Sequence, residues 1–318
     1  MTGTHHVVIK NRDAKFDFYL HRNITFVRGD SGTGKTTLFD MVSDYTRLKA
    51  ASGINISCDK ECAALTDYDW KHQLEGISDS IVFVDEGSDY LKSKDFAEAI
   101  KNSNNYYVIF CRESLYELPY SPEEIYEIKA SGKYHSFKKL FKSDSRHVYY
   151  KDTTPGKLKY DALVTEDSKS GFQFYQNYFL NDDIECYSSS SNSAIFQWLK
   201  EHGDKKVFVV ADGAAFGSEI DRVLKLPSAS NFRLCLPESF EWLILKSGLI
   251  RAENIEAVLN DPSVYIESSE FFSWENFFEA YLVESTVNTP FQYSKSKINP
   301  IYLNDKNAEK IIAEIYKK

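Results

Sequence analysis

The stretch Gly29-Asp30-Ser31-Gly32-Thr33-Gly34-Lys35-Thr36 decides the reading of this chain. It fits G-x-x-x-x-G-K-[ST] at every fixed position. It follows a β-rich run, NITFVRG (23–29), and leads into 36–49, where Leu38, Met41, Val42 and Tyr45 recur at helical spacing. Strand, loop and helix in that order suit a phosphate cradle. Glycines let backbone N–H groups turn inward around a phosphate without a side-chain clash. The helix N-terminus adds the positive end of its dipole. Lys35 is placed to reach the β- and γ-phosphates, and the Thr36 hydroxyl to ligate Mg²⁺. The expected cofactors are therefore ATP and Mg²⁺, with Gly29, Asp30, Ser31, Gly32, Thr33, Gly34, Lys35, Thr36 and Thr37 as the nucleotide-binding residues. No NKxD element follows, which favours ATP over GTP.

Working outward, SIVFVDE (80–86) is an apolar run closed by acids, the pattern of a strand buried on both faces. At its end Asp85 is the expected Mg²⁺ ligand, and Glu86 the group that polarises the attacking water. NNYYVIFCRES (104–114) reads as a second buried strand ending in Arg112, a candidate reader of the γ-phosphate. HHVVI (5–9) and FDFYL (16–20) bracket a polar turn and predict a hairpin. INISC (54–58) reads as a strand and KDFAEAIKNS (94–103) as a helix. The β-α-β alternation predicts a largely parallel sheet with helices on both faces.

On these motifs, residues 1–128 resemble a P-loop ATPase of the branch that carries a catalytic Glu beside the Mg²⁺-binding Asp, as in ABC-type and AAA-like ATPases. The resemblance implies a three-layer α/β/α domain in which Lys35, Glu86 and Arg112 are catalytic. The chain departs from the ABC pattern in two ways. It has no LSGGQ-like signature, and the segment from Thr36 to Ser80 is too short for the usual helical subdomain. Arg112 and Glu113 stand where ABC proteins carry a histidine, as at the sensor position of AAA-like and STAND-like ATPases.

The second half alternates again. Strands are expected at 159–168 (strand then turn), 184–189, 205–213 and 232–238, with helices between them and a mostly helical tail. Acids fall where strands end: Glu166-Asp167, Asp212 and Glu238, with Glu241 a helical turn further on. In an open parallel sheet these ends converge on the usual ligand crevice, and gathered carboxylates suit Mg²⁺ or Mn²⁺. The order resembles a Rossmann-like Toprim domain, and the whole chain a reduced OLD-family protein. The resemblance implies a metal at Glu166, Asp212 and Glu238. Gly217 matches the family's following glycine. Ala214 stands in place of its second Asp, and Asp167 in place of its glycine after the Glu. The function expected is an ATPase whose nucleotide state controls the second domain, as in an OLD-like nuclease or a phage-defence protein. Two alternatives stay open, a nucleotide-switched binding module with a catalytically dead second domain and a P-loop kinase.

Composition sets the frame. The chain has 318 residues, 42% of them hydrophobic, and a net charge of −9, so bulk attraction to nucleic acid or anionic lipid is not expected. Locally, 129–159 holds nine Lys or Arg against two Asp, and is the one stretch suited to nucleic acid. The expected organisation is an ATPase domain at 1–130, a basic linker at 131–157, a Toprim-like domain at 158–250 and a helical extension at 251–318. Five scattered Cys, no apolar run of membrane length and no secretory signal point to the cytoplasm. Self-association or a partner protein is expected, since P-loop sites often borrow a neighbour's residue. Cys58 and Cys62 make half a zinc site with no second half, so they read as a thiol pair. The aromatic stripes at 172–179 and 271–281 read as core or dimer contacts.

Overall fold

The computed structural model describes residues 1–30, 32–66, 69–144, 148–149 and 159–316. The chain is α/β and divides into two compact units, Met1–Phe141 with Asp261–Phe272, and Lys142–Asn260 with Ser273–Lys318.

In the first unit, the polar turn after β1 (His5–Lys10) returns the chain as β2 (Lys15–Leu20), pairing His5 with Leu20 and Lys10 with Lys15. Alternate residues Val7, Ile9, Phe16 and Phe18 face the core. The chain continues through β3 (Ile24–Arg28), α1 (Lys35–Leu48), β4 (Asn55–Ser57), β5 (Glu61–Leu65), α2 (Trp70–Glu75), β6 (Ser80–Val84), α3 (Lys94–Lys101), β7 (Tyr106–Phe110), β8 (Ile125–Ser131) and β9 (Tyr134–Lys139). The sheet order is β4-β1-β2-β9-β8-β3-β7-β6-β5. From β8 to β5 every pairing is parallel. Every residue of β3, β6 and β7 is buried, as apolar strands covered on both faces should be. Ile81, Phe83, Val108 and Phe110 share a cluster with Leu38, Met41 and Val42 of α1, which are spaced to put one helix face on the sheet. Ser93 caps α3 by accepting from the Phe96 N–H at 3.1 Å.

Two boundaries differ from the sequence expectation. The residues assigned to a linker from 131 onward open with β9, which pairs antiparallel with β8 across the Gly132-Lys133 turn and also joins β2. The chain also returns to the first unit at Asp261–Phe272, where the Gly3 N–H donates to the Ser263 carbonyl at 2.7 Å. The remainder of the basic stretch, 145–147 and 150–158, lies outside the described residues, as does Ser31.

The second unit runs β10 (Val148–Tyr149), β11 (Ala162–Thr165), α4 (Ser170–Tyr178), β12 (Glu185–Ser188), α5 (Asn192–Glu201), β13 (Val207–Val210), α6 (Ile220–Leu224), β14 (Phe232–Cys235), α7 (Phe240–Lys246), α8 (Ile255–Asn260), α9 (Trp274–Thr286) and α10 (Asp305–Ile312). Its sheet order is β10-β14-β13-β11-β12, parallel except for β10. Succession from β11 goes first to one side and then, at β13, to the other. The topological switch point therefore lies between β11 and β13, where open α/β sheets form a crevice. Phe174, Tyr175 and Phe179 are buried, as is Phe278, so both aromatic stripes contribute to core. Among the described residues no helix is long and apolar enough to cross a membrane.

Candidate functional site

In the first unit, β3, β7 and β6 lie side by side and parallel, with Val27 opposite Phe110 and Ile109 opposite Val84. That register sends three connections off the same sheet edge: the loop from Gly29, the turn at Arg112 and the turn at Asp85 and Glu86. The loop takes its shape from glycines with positive φ. Gly34 sits at φ +100°, and a Cβ there would meet the His135 ring at 3.4 Å and Phe16 at 3.6 Å. Alanine at 34 is thus opposed by backbone strain, while the stacked Phe16–His135 pair, ring centroids 4.5 Å apart, would lie at ordinary contact distance from the added methyl.

Gly34 leaves α1 without a side-chain cap, and the first turn carries no acid. The free N–H groups of a 14-residue helix therefore open onto the loop without a built-in anion. Lys35, 5% exposed, folds back over it. Its ammonium donates to the carbonyls of Gly29 at 2.5 Å and Asp30 at 2.9 Å, with Thr33 Oγ1 at 3.4 Å. Thr33 in turn donates to the Asp30 carbonyl at 3.0 Å. Thr36 and Thr37 are exposed beside this cradle.

Asp85 is half-buried, and its charge reaches Asp40, one turn along α1 from Thr36. Partial burial first, and then Asp85 and Asp44, hold the Asp40 carboxyl above its usual range. Asp40 was not singled out in the sequence, although its i+4 spacing from Thr36 places it on the same helix face. Glu86 is gripped by Arg112 in a two-point contact, Nε to Oε2 at 3.2 Å and a terminal nitrogen to Oε1 at 3.0 Å. The two residues expected to serve catalysis separately are thus partners here. They edge a cleft of about 450 Å³ with Ser88, Asp89, Lys92 and Glu113.

In the second unit, Thr165 lies opposite Val210, so Glu166 and Asp212 leave the sheet together at the switch point. Burial first, and then the charge of Glu275, push the Glu166 carboxyl up to about 7. Asp212 is driven well above the carboxylate range by burial, Glu275 and Glu166. Glu275 rises by burial and by the charge of Glu241. Glu241 is fully buried and accepts from the Tyr293 hydroxyl at 2.5 Å and the Lys295 ammonium at 3.0 Å. The acids that act on Asp212 most strongly are therefore Glu275, Glu166 and Glu241. Glu238, expected as a ligand, is buried beyond the end of β14. Asp167 is spent on local structure, accepting from the Lys169 and Gly171 N–H groups at 2.6 Å each and so closing the start of α4. Gly213 and Ala214 are buried against the β14 connection. Among the described residues no group of three or more His, Cys, Asp or Glu is arranged to hold a metal ion. Glu275, Tyr293 and Lys295 went unnoticed in the sequence because they carry no local motif.

Of the basic stretch, Lys129 pairs with Glu127 at 3.0 Å and Lys139 with Glu123, so both charges are already matched. Cys58 and Cys62 are free thiols, the first half-buried and the second buried. Comparison of the chain with protein-family models, curated proteins and solved structures returns no match.

Proposed function

We propose that the first unit binds ATP with Mg²⁺ and hydrolyses it, as the ATPases it resembles do. The observation that carries this reading is the uncapped start of α1, faced by a lysine that, among the described residues, rests on neutral oxygens. A phosphate is a stronger partner for an ammonium than a carbonyl is. Nucleotide entry therefore draws Lys35 off the loop carbonyls and onto the β- and γ-phosphates, while the N–H groups of the loop and of α1 close on the oxygens. The donor set suits the metal: the Thr36 hydroxyl and Asp85 would hold Mg²⁺, which neutralises phosphate charge. Arg112 leaves Glu86 for the γ-phosphate, and the freed carboxylate takes the proton of the attacking water.

For the second unit, the reading best supported is a binding or coupling role that follows the nucleotide state, without hydrolytic chemistry of its own. Buried Ala214 stands where the Toprim resemblance calls for an acid, and a lysine ammonium lies among the remaining carboxylates.

Titration calorimetry tests the first reading. Wild type takes up ATP, and Lys35→Ala does not. Glu86→Gln binds ATP but turns it over ~10²–10⁴-fold more slowly, the usual worth of a general base. Phosphate release without any acceptor separates hydrolysis from the kinase alternative. No uptake of any nucleotide by wild type overturns the proposal.

A further inference from the structure

The acids Glu166 and Asp212 occupy the position where the Toprim resemblance expects a divalent metal, yet the residues present do not fit one. A hard cation needs several converging oxygens with little competing positive charge. Here the second acid of the pair is Ala214, Asp167 is tied to the start of α4, and Lys295 is already inside the cluster. The Lys295 side chain is 20% exposed, with its ammonium 3.0 Å from Glu241 Oε1 and 3.8 Å from Glu275 Oε1. Tyr293, two residues earlier, donates to the same Glu241 oxygen and shares a hydrogen bond with Ser170 Oγ at 2.6 Å. These partners come from α4, α7, α9 and the segment after α9, so the position is fixed from four directions. Burial opposes the charged form of Lys295, but Glu241, Asp212 and Glu275 outweigh it and keep the ammonium protonated.

We infer that Lys295 is the resident cation of the second unit: its ammonium takes the place of a divalent metal, and the unit works without one. The inference rests on the second unit alone and is independent of nucleotide binding by the first.

The test uses the full chain without nucleotide, with Mn²⁺ as the probe. Free Mn²⁺ is read by electron paramagnetic resonance, and melting is followed with and without the ion. Wild type shows no uptake that Asp212→Asn abolishes, and Mn²⁺ leaves its melting unchanged. Lys295→Met, which strands Glu241 without its cation, melts roughly 6–12 °C lower. Mn²⁺ recovers part of that loss, and the recovery disappears in Lys295→Met/Asp212→Asn. Lys295→Arg keeps the charge and most of the stability. The inference is overturned by wild-type Mn²⁺ uptake that is lost in Asp212→Asn, by Lys295→Met melting with wild type, or by folded Lys295→Met that Mn²⁺ does not stabilise. The wild-type measurement decides the matter even where Lys295→Met fails to fold.

Discussion

Glu166→Gln should make the second unit more stable at neutral pH and leave it unchanged in acid. In the folded chain the Glu166 carboxyl is raised from an ordinary 4.5 to about 7, first by burial and then by Glu275, with Asp167 adding to the effect and Lys295 opposing it. A raised acid binds its proton more tightly folded than unfolded. Below about pH 4.5 both states hold the proton and no penalty exists. Between 4.5 and 7 the unfolded chain releases it while the folded chain retains it, so stability falls as pH rises. Above about 7 the full penalty is present. At 1.36 kcal/mol per pH unit it amounts to about 3 kcal/mol. Glutamine keeps the shape and never ionises, so it removes the term. It also relieves Asp212, which feels the Glu166 charge, so the two titrations are measured together. Calorimetric melting of the wild type and Glu166→Gln at pH 4.5, 6 and 8 reads the difference. Equal melting is expected at 4.5, with the variant ahead by roughly 6–12 °C at pH 8. A constant offset across the series, or a variant that loses ground as pH rises, refutes the argument.

Other expectations follow from single contacts. Arg112→Gln removes a two-point grip on Glu86, but the arginine side chain is 54% exposed. Screening then holds the stability change below ~1 kcal/mol, and on the proposed ATPase reading the loss of a γ-phosphate donor slows turnover by ~10²-fold. Unchanged turnover would show that Arg112 serves only the resting pair. Gly213→Ala drives a methyl to 2.3 Å from the Leu236 carbonyl and 2.8 Å from that of Pro237, both backbone atoms. Gly213 also donates its N–H to the Pro237 carbonyl at 2.6 Å, so the strand ends cannot part cheaply. A cost of about 2–3 kcal/mol is expected from denaturant unfolding, and a variant within 0.5 kcal/mol of wild type would count against that packing.

What the sequence disclosed follows from the reach of each signal. Strands buried on both faces announce themselves by composition, so β3, β6, β7 and β13 fall where the ITFVR, SIVFV, YYVIF and VFVV runs stand. The loop from Gly29 is legible because its motif has a fixed local spacing. β5 escaped because Glu61-Cys-Ala-Ala-Leu65 is short and poor in β-branched residues. The β8–β9 hairpin escaped for a different reason. Its strands alternate, with Tyr126, Ile128 and Phe137 turned inward, but the lysines on their other face read as a solvated run. The return of Asp261–Phe272 to the first unit, and the meeting of residues 241, 275, 293 and 295, are long-range events with no periodicity to betray them.

The two units place lysines in opposite circumstances, and the contrast accounts for their different expected behaviour. Lys35 rests on the carbonyls of Gly29 and Asp30, which carry only partial charge. On the proposed reading an arriving phosphate replaces them, and the loop's N–H groups gain an anion as the ammonium moves. Lys295 rests on a fully buried carboxylate, with Glu275 and Asp212 acting on it as well. Moving it would strand a buried charge, at a cost of several kcal/mol. No neutral or weakly charged ligand repays that. On the proposed nucleotide-binding reading the first lysine can change partners, whereas the second is held in place by buried carboxylates.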